Sequence, residues 1–526
     1  MTETTSGVTG EQPGEALSAI LDQRDPARPA LVVPDDGQTL TFGQLADRVR
    51  WLAGCLAAAG VRRGDRVAVT LPNGPDIVQV LFAITALGAA AAPLNPAYTE
   101  PEYDFYLRDI EPRVFVVPAS RPEAAIAAAR ACGIDVLTAR PRDDAPPVLA
   151  GADDAEIGPA DDFAAGQPDD VAVVLHTSGT TSRPKQVPLA QRNLMASVRT
   201  IAAHYQLGPD DVSFCVMPLF HVHGLVASTF AALAAGGSVI VPRRFTPVRF
   251  WRQAREHGAT WLSAGPTLHQ MILDRRDEEG APATLRFARS CSSALSPALL
   301  ARAEAEYGVP MLEAYGMTEA SHQMASNPLP PAARIPGSVG IATGIEIGIA
   351  DKTGTLLPDG EPGEVVIRGP GVMSGYVNNP AATAEAFFGD WFRTGDRGVL
   401  RDGYLYLEGR IKEMILRGGE NISPAEIEQV LLAHPAVRDA VCFGIPDEKY
   451  GELVGAAVTL TEETDPESVD ARTLIEHCGG RLAQFKVPAQ IHILDQIPRT
   501  ATGKVQRRRV GEVVLAGGAG GPEGGR

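Results

Sequence analysis

Short apolar runs alternate with helix-length patterns along most of this chain, and that alternation leaves few folds open to it. Arg66–Leu71, Ala89–Pro93, Val114–Pro118, Ile134–Leu137, Asp170–Leu175, Val212–Met217, Ser238–Val241, Trp261–Ala264 and Arg286–Ser290 read as strands. Between them Asp76–Leu87 and Leu225–Ala234 read as helices. Thr41 reads as the cap of a further helix, in which Leu45, Val49, Leu52, Ala53 and Leu56 recur at helical spacing. Such interleaving predicts a layered α/β architecture around a mainly parallel sheet. Ala30–Leu40 adds a hairpin with its turn at Asp36-Gly37, and Asp143–Asp169, rich in Asp, Ala and Pro, predicts an exposed connection. From Gly337 to Tyr376 glycines and alternating apolar residues predict a small β-rich subdomain with strands at Glu346–Ala350 and Glu364–Arg368. Helices at Pro424–Ala433 and Thr473–Leu482, with strands at Val437–Gly444 and Gly455–Leu460, predict a separate α+β unit. The predicted organisation is a large N-terminal domain over residues 1–409, a smaller C-terminal domain over 410–515 and a flexible tail over 516–526.

A chain of 526 residues is too long for one core. Its formal charge of −17 argues against nucleic acid as a partner, because phosphate backbones need a basic surface. The six cysteines are scattered and form no C-x-x-C pair, which fits a reducing compartment and argues against structural zinc or a disulfide framework. No apolar run is long enough for a membrane span, and the polar start Met1–Gly7 lacks the regions of a signal peptide. The expected compartment is the cytoplasm.

His176–Val187 reads His-Thr-Ser-Gly-Thr-Thr-Ser-Arg-Pro-Lys-Gln-Val and follows a predicted strand. Small hydroxyl residues around a glycine at a strand exit leave N–H groups free to face an anion, and Lys185 adds a point charge. The pattern is not a Walker A loop, since Pro184 and Gln186 flank the lysine. Taken alone, an ordinary Ser/Thr-rich turn explains it equally well. Further stretches alter that balance. Pro218-Leu-Phe-His221-Val-His223-Gly224 places two histidines at a spacing of two; with no third ligand nearby, a polar substrate pocket is their better use than a metal site. Ser290-Cys-Ser292-Ser293-Ala294 is a run of small residues that lets a planar ligand approach the backbone. Glu313-Ala-Tyr315-Gly316-Met-Thr318-Glu319-Ala-Ser-His322 brings a ring to stack on a base, a hydroxyl for a phosphate and a carboxylate for Mg²⁺ into a small volume. Asp396 ends Trp391-Phe-Arg-Thr-Gly-Asp as an acceptor for two ribose hydroxyls, and Lys504 stands on a Gly-containing turn suited to reaching an anion from outside.

Together these motifs, in this order, resemble the adenylate-forming superfamily of acyl-CoA synthetases, peptide-synthetase adenylation domains and luciferases, from about Leu31 to Arg508. Within it, the loop, Pro218–Leu225 and Ser326-Asn-Pro-Leu-Pro330 look most like oxalate-CoA ligases. The resemblance implies a two-step reaction: a carboxylate attacks the α-phosphate of ATP and releases pyrophosphate, then the thiol of CoA displaces AMP. It implies that Thr177, Ser178, Gly179, Thr180, Thr181, Ser182 and Lys185 hold phosphates. Ser292, Tyr315, Gly316 and Thr318 would contact the nucleotide, as would Asp396, Arg410 and Asn421. Glu319 would bind Mg²⁺, and Lys504 would bridge the carboxylate and the α-phosphate; Thr318, Glu319 and Lys504 are the implied catalytic residues. Gly418 and Gly419 would line the CoA channel, and Lys412 would be the hinge on which a mobile C-terminal domain swings between the steps. His221, His223, Ser292, Ser293 and His322 are expected around the acid. Polar donors there suit oxalate or another small polar acid, since a buried second carboxylate must be paired or hydrogen-bonded. A short or medium fatty acid, a carrier-protein thiol in place of CoA, and an inactive nucleotide binder are the alternatives. Gln186, where the family nearly always has glycine, either crowds the loop or already lies in a strand that tolerates it.

Overall fold

The computed structural model describes residues 15–517 apart from 143, 152, 178–183, 462–463, 466–467 and 500–504. Among the described residues, sheets of seven and fourteen strands form the large unit and a sheet of five forms the small one. The seven-stranded sheet runs Val148–Ala150, Asp135–Arg140, Val114–Pro118, Arg66–Val69, Ala90–Pro93, Val171–His176, Gln186–Ala190, parallel at its centre and antiparallel at both edges. Its central strands are buried on both faces, which is why Val114–Val117 and Ala90–Pro93 show no polar alternation.

The fourteen-stranded sheet changes character along its width. Pro29–Val33, Ser238–Ile240, Val212–Phe214, Trp261–Ala264, Phe287–Ser290 and Met311–Met317 pair in parallel. From Met311–Met317 onward His322–Ser326, Ile341–Ala342, Tyr404–Arg410, Trp391–Arg401, Gly363–Arg368 and Glu346–Ala350 pair antiparallel. The β-rich subdomain read from Gly337–Tyr376 is therefore part of this sheet's antiparallel half. The last strand of that half ends at Arg410, and the small sheet opens with Ile415–Arg417.

Local chemistry explains the elements. Thr41 caps Phe42–Ala58, its hydroxyl accepting from the backbone N–H of Gln44 while the Gln44 side chain accepts from the N–H of Thr41. Glu100–Ile110 and Glu123–Cys132 are helices that the apolar pattern leaves unmarked. The connection predicted over Asp143–Asp169 is not wholly exposed, because Val148–Ala150 is a buried strand against Asp135–Arg140. The helix Arg507–Gly517 reaches into the stretch read as a tail.

Glu313, on Met311–Met317, is nearly buried and accepts from the backbone N–H of Gly337 at 3.0 Å. Desolvation pushes its carboxyl up from 4.5 to about 7. Since the folded state holds that proton more tightly, the stability tied to it is complete below pH 4.5 and is lost as pH rises through about 7. Glu313→Gln is thus expected to be more stable than the parent at pH 8.5 by about 1–3 kcal/mol and no more stable at pH 4. Thermal melts at the two pH values check this; an equal shift at both would contradict it.

Candidate active site

Strand ends decide where the chemistry collects. In open parallel sheets, ligands bind beyond the carboxyl ends of the strands. Here Val171–His176 runs out into Thr177, Val212–Phe214 leads to His223, Phe287–Ser290 to Ser292 and Met311–Met317 to Thr318 and Glu319.

Asp396 and Arg410 are direct partners across the antiparallel pair Trp391–Arg401 and Tyr404–Arg410. Arg410 Nε binds Asp396 Oδ1 at 2.8 Å, while the Tyr315 hydroxyl donates to Asp396 Oδ2. Burial, with Asp396 beside it, pushes the Tyr315 phenol well up, so it stays protonated and donating. Arg410 also donates to the carbonyl of Thr394 at 3.2 Å, and the Thr394 hydroxyl accepts from the Asp396 N–H at 3.1 Å. Arg410 and Tyr315 thereby hold the two carboxylate oxygens, and Thr394 steadies both the Asp396 backbone and the guanidinium. Gly316 is required by packing: a Cβ there would lie 2.2 Å from the carbonyl oxygen of His322.

Glu319 sits in the short 3₁₀ turn Thr318–Ala320, 7% exposed. Desolvation raises its pKa, and the Tyr376 hydroxyl donates to its Oε1 at 3.2 Å. Lys185 Nζ lies 4.5 Å from the centroid of the same Tyr376 ring. Tyr376 therefore joins the end of the loop that follows His176 to the Glu319 carboxylate. Ser178, Gly179, Thr180, Thr181 and Ser182, and Lys504, lie outside the described residues, as does the side chain of Asn421. Thr177 donates its N–H to the carbonyl of Lys185 at 3.0 Å, which closes the loop's neck.

A second cluster is built around Arg289. This guanidinium is fully buried in Phe287–Ser290. Nε donates to the Tyr205 hydroxyl at 2.8 Å, Nη1 to Ser263 Oγ at 2.7 Å and His223 Nε2 at 3.3 Å, and Nη2 to Gln323 Oε1 at 3.0 Å and His322 Nδ1 at 3.4 Å. None of these partners among the described residues is a carboxylate. The N–H groups are satisfied while the charge is not, an expensive arrangement in a dry interior. Because arginine only donates, both facing ring nitrogens must accept. His223 Nε2, 3.3 Å from Arg289 and 2.7 Å from the Ser263 hydroxyl, accepts from both when the proton sits on Nδ1, 3.0 Å from Ser292 Oγ; in the same arrangement His322 carries its proton on Nε2. Burial, followed by the positive charge of Arg289, holds both imidazoles well below the usual range and hence neutral. Their rings are 4.9 Å apart. His223 opens a π-helix spanning His223–Phe230, a geometry frequent at functional sites. Ser292 (φ 79°) and His322 (φ 103°) both have left-handed backbones that L-residues adopt at a cost, which the surrounding fold must impose.

Of the residues expected around the acid, His223, Ser292 and His322 converge. Ser293 is exposed, and His221 stands against Phe220 with its pKa lowered to about 4 by burial. Gly418 and Gly419 have φ of 60° and 94° in the hairpin between Ile415–Arg417 and Glu420–Ile422, a turn that favours glycine at both places. Lys412 is exposed in the segment Ile411–Glu413 that joins the two units. Sequence reasoning missed Arg289, Ser263, Gln323 and Tyr376. The available signal was Arg289 itself, a charge inside a short parallel strand whose neighbours are buried. Among the described residues there is no cluster of three metal-ligating side chains, and no helix is long and apolar enough to cross a membrane.

The chain matches the AMP-binding enzyme family over residues 20–377 and the AMP-binding enzyme C-terminal domain over residues 426–504. It is 45% identical over 512 residues to the oxalate–CoA ligase of Arabidopsis thaliana, with 95% of this chain and 99% of that one covered. It is 40% identical over 502 residues to the sulfoacetate–CoA ligase of Cupriavidus necator, covering 94% and 96%. The ATP-bound crystal structure of MatB from Rhodopseudomonas palustris is 31% identical with a TM-score of 0.85, covering 95% of this chain and 99% of that one.

Proposed function

This chain belongs to the AMP-binding enzyme family and is an AMP-forming acid–CoA ligase using ATP, Mg²⁺ and CoA, and from that premise we propose that its acid is oxalate. The observation that carries the choice is Arg289, a buried cation whose described partners, two histidine rings among them, are all neutral. A small second carboxylate supplies the missing negative charge, whereas an alkyl chain does not. The relatives named for oxalate and sulfoacetate, both small acids with two anionic groups, support the same reading.

The site then divides its work. Asp396, held by Tyr315 and Arg410, accepts the ribose hydroxyls, and Tyr315 offers its ring to the adenine. Thr177–Lys185 grip the β- and γ-phosphates, with Lys185 adding charge. Glu319 fits Mg²⁺: it is a hard oxygen donor, nearly dry, with one oxygen steadied by Tyr376 and a desolvation cost that a divalent cation would relieve. That ion would supply neutralising charge on the phosphates. His223, Ser292 and His322 orient the acid so that its reacting carboxylate faces the α-phosphorus, and Thr318 contacts that phosphate. Two anions must meet in line, so oriented N–H groups and cations carry most of the barrier reduction. Gly418-Gly419 then line the path of the CoA thiol, after rotation about Lys412.

Pyrophosphate release with ATP and Mg²⁺ across oxalate, malonate, sulfoacetate, octanoate and coumarate tests the proposal. Oxalate should give the highest kcat/KM, with thioester appearing only when CoA is added. Preference for octanoate would overturn the substrate reading and leave the enzyme class standing.

A further inference from the structure

The phosphate loop leaves the seven-stranded sheet at His176 and re-enters it at Gln186, and these residues face each other across the antiparallel pair. Both side chains reach one carboxylate. His176 Nε2 lies 2.8 Å from Asp109 Oδ2; Gln186 Nε2 donates to the same Oδ2 at 2.8 Å and to the Asp109 carbonyl oxygen at 2.6 Å. Asp109 stands in the last turn of the helix Glu100–Ile110, where the helix dipole disfavours a negative charge. The two donors offset that cost. Tyr106, one turn earlier, meets the His176 ring edge-to-face at 4.7 Å, so the helix grips that strand end twice. The backbone of Gln186 also takes part, its carbonyl accepting from the N–H of Val377 at 3.1 Å, next to the Tyr376 that joins Lys185 and Glu319. The amide oxygen of Gln186 is buried without a partner among the described residues, a cost that an apolar side chain would avoid. The two donated bonds are what the amide contributes.

We propose that Asp109, His176 and Gln186 form a clamp across the neck of the phosphate loop, holding its two ends at the separation needed to grip ATP. Asp109 and Gln186 are positioning residues, and the proposal rests on the reading that residues 177–185 bind the nucleotide phosphates. On this view Gln186 is no defect in the loop, and a glycine at that place would weaken the use of ATP.

Asp109→Ala, Asp109→Asn, Gln186→Leu and Gln186→Gly would be compared with the parent for KM of ATP, KM of oxalate and thioester formation from preformed acyl-adenylate. Melting temperatures would be recorded alongside; the Asp109 side chain is partly exposed, and its variants should fold. Asp109→Ala, Gln186→Leu and Gln186→Gly should each raise KM for ATP roughly tenfold, the loss expected for a hydrogen bond to a charged group, with KM for oxalate and the second half-reaction unchanged. Asp109→Asn, which still offers an acceptor, should recover most of the loss. Folded Asp109→Ala and Gln186→Leu enzymes with parental KM for ATP would overturn the clamp, as would a gain in ATP use by Gln186→Gly. Lys185→Ala separates the two levels: if it too leaves KM for ATP unchanged, the loop itself is not the phosphate grip and both readings fall.

Discussion

Arg289→Met should lower kcat/KM for oxalate by about 10²–10³ and also lower the melting temperature, and both halves of this expectation follow from the same geometry. The guanidinium is fully buried and directs acceptor nitrogens of two histidines toward itself. Without it neither imidazole has a fixed tautomer, and the pocket loses the charge that an acid with a second anionic group would answer. Stability responds in the same direction, because Ser263 Oγ, Gln323 Oε1 and the two ring nitrogens stay buried and lose their donor, a cost that outweighs the relief of removing an uncompensated charge. Arg289→Lys keeps the charge but has three donors where five were in use, so it should fall between the two. Steady-state kinetics on oxalate and a thermal melt are sufficient. Parental kcat/KM in Arg289→Met would remove the observation on which the oxalate proposal stands.

Lys504→Ala should suppress adenylation by roughly 10²–10³ and leave thioester formation from preformed acyl-adenylate within a few fold. Lys504 lies outside the described residues, but both of its flanks are anchored. On one side Arg499 binds Asp439 at 2.6 Å and reaches Thr267 of the large unit at 3.1 Å. On the other Arg507 binds Glu413 at 3.0 Å and also pairs with Glu428. Glu413 neighbours Lys412, so the segment after Lys504 is tied to the joint between the two units. If the C-terminal unit swings about Lys412 as proposed, a cation carried on it would serve one half-reaction and withdraw from the other. Equal loss in both halves, measured by pyrophosphate release and by single-turnover thioester formation, would contradict the assignment.

How much of this was legible beforehand depended on the range of the interaction. Strand positions such as Val114–Pro118 and Trp261–Ala264 are local and were read correctly, because a buried parallel strand must be continuously apolar. The meeting of Tyr315, Asp396 and Arg410 could be anticipated from motif order, although only the sheet register makes Asp396 and Arg410 partners. Arg289 could not, since its five acceptors come from four other segments and none is near it in the chain. Gln186 was legible only as a departure from a pattern. Its partner stands 77 positions earlier, and nothing local announces that a helix end will supply the acceptor. His221 stands two residues before His223, but its ring packs against Phe220 and is not among the partners of Arg289.

The strand Met311–Met317 pairs in parallel with Phe287–Ser290 on one side and antiparallel with His322–Ser326 on the other. It is the seam between the sheet's two halves. Ser263 and Arg289, proposed to choose the acid, hang from the parallel side together with His223; Asp396 and Arg410, proposed to meet the nucleotide, hang from the antiparallel side. A lineage can therefore change which acid it accepts by editing one half of a continuous sheet while the machinery common to every acid stays untouched in the other. His322 crosses that seam, being rooted in the antiparallel half and turned toward Arg289. Changes at this histidine should accordingly be the ones that drag both substrates along, and a divergent relative that has switched acids should have altered it last.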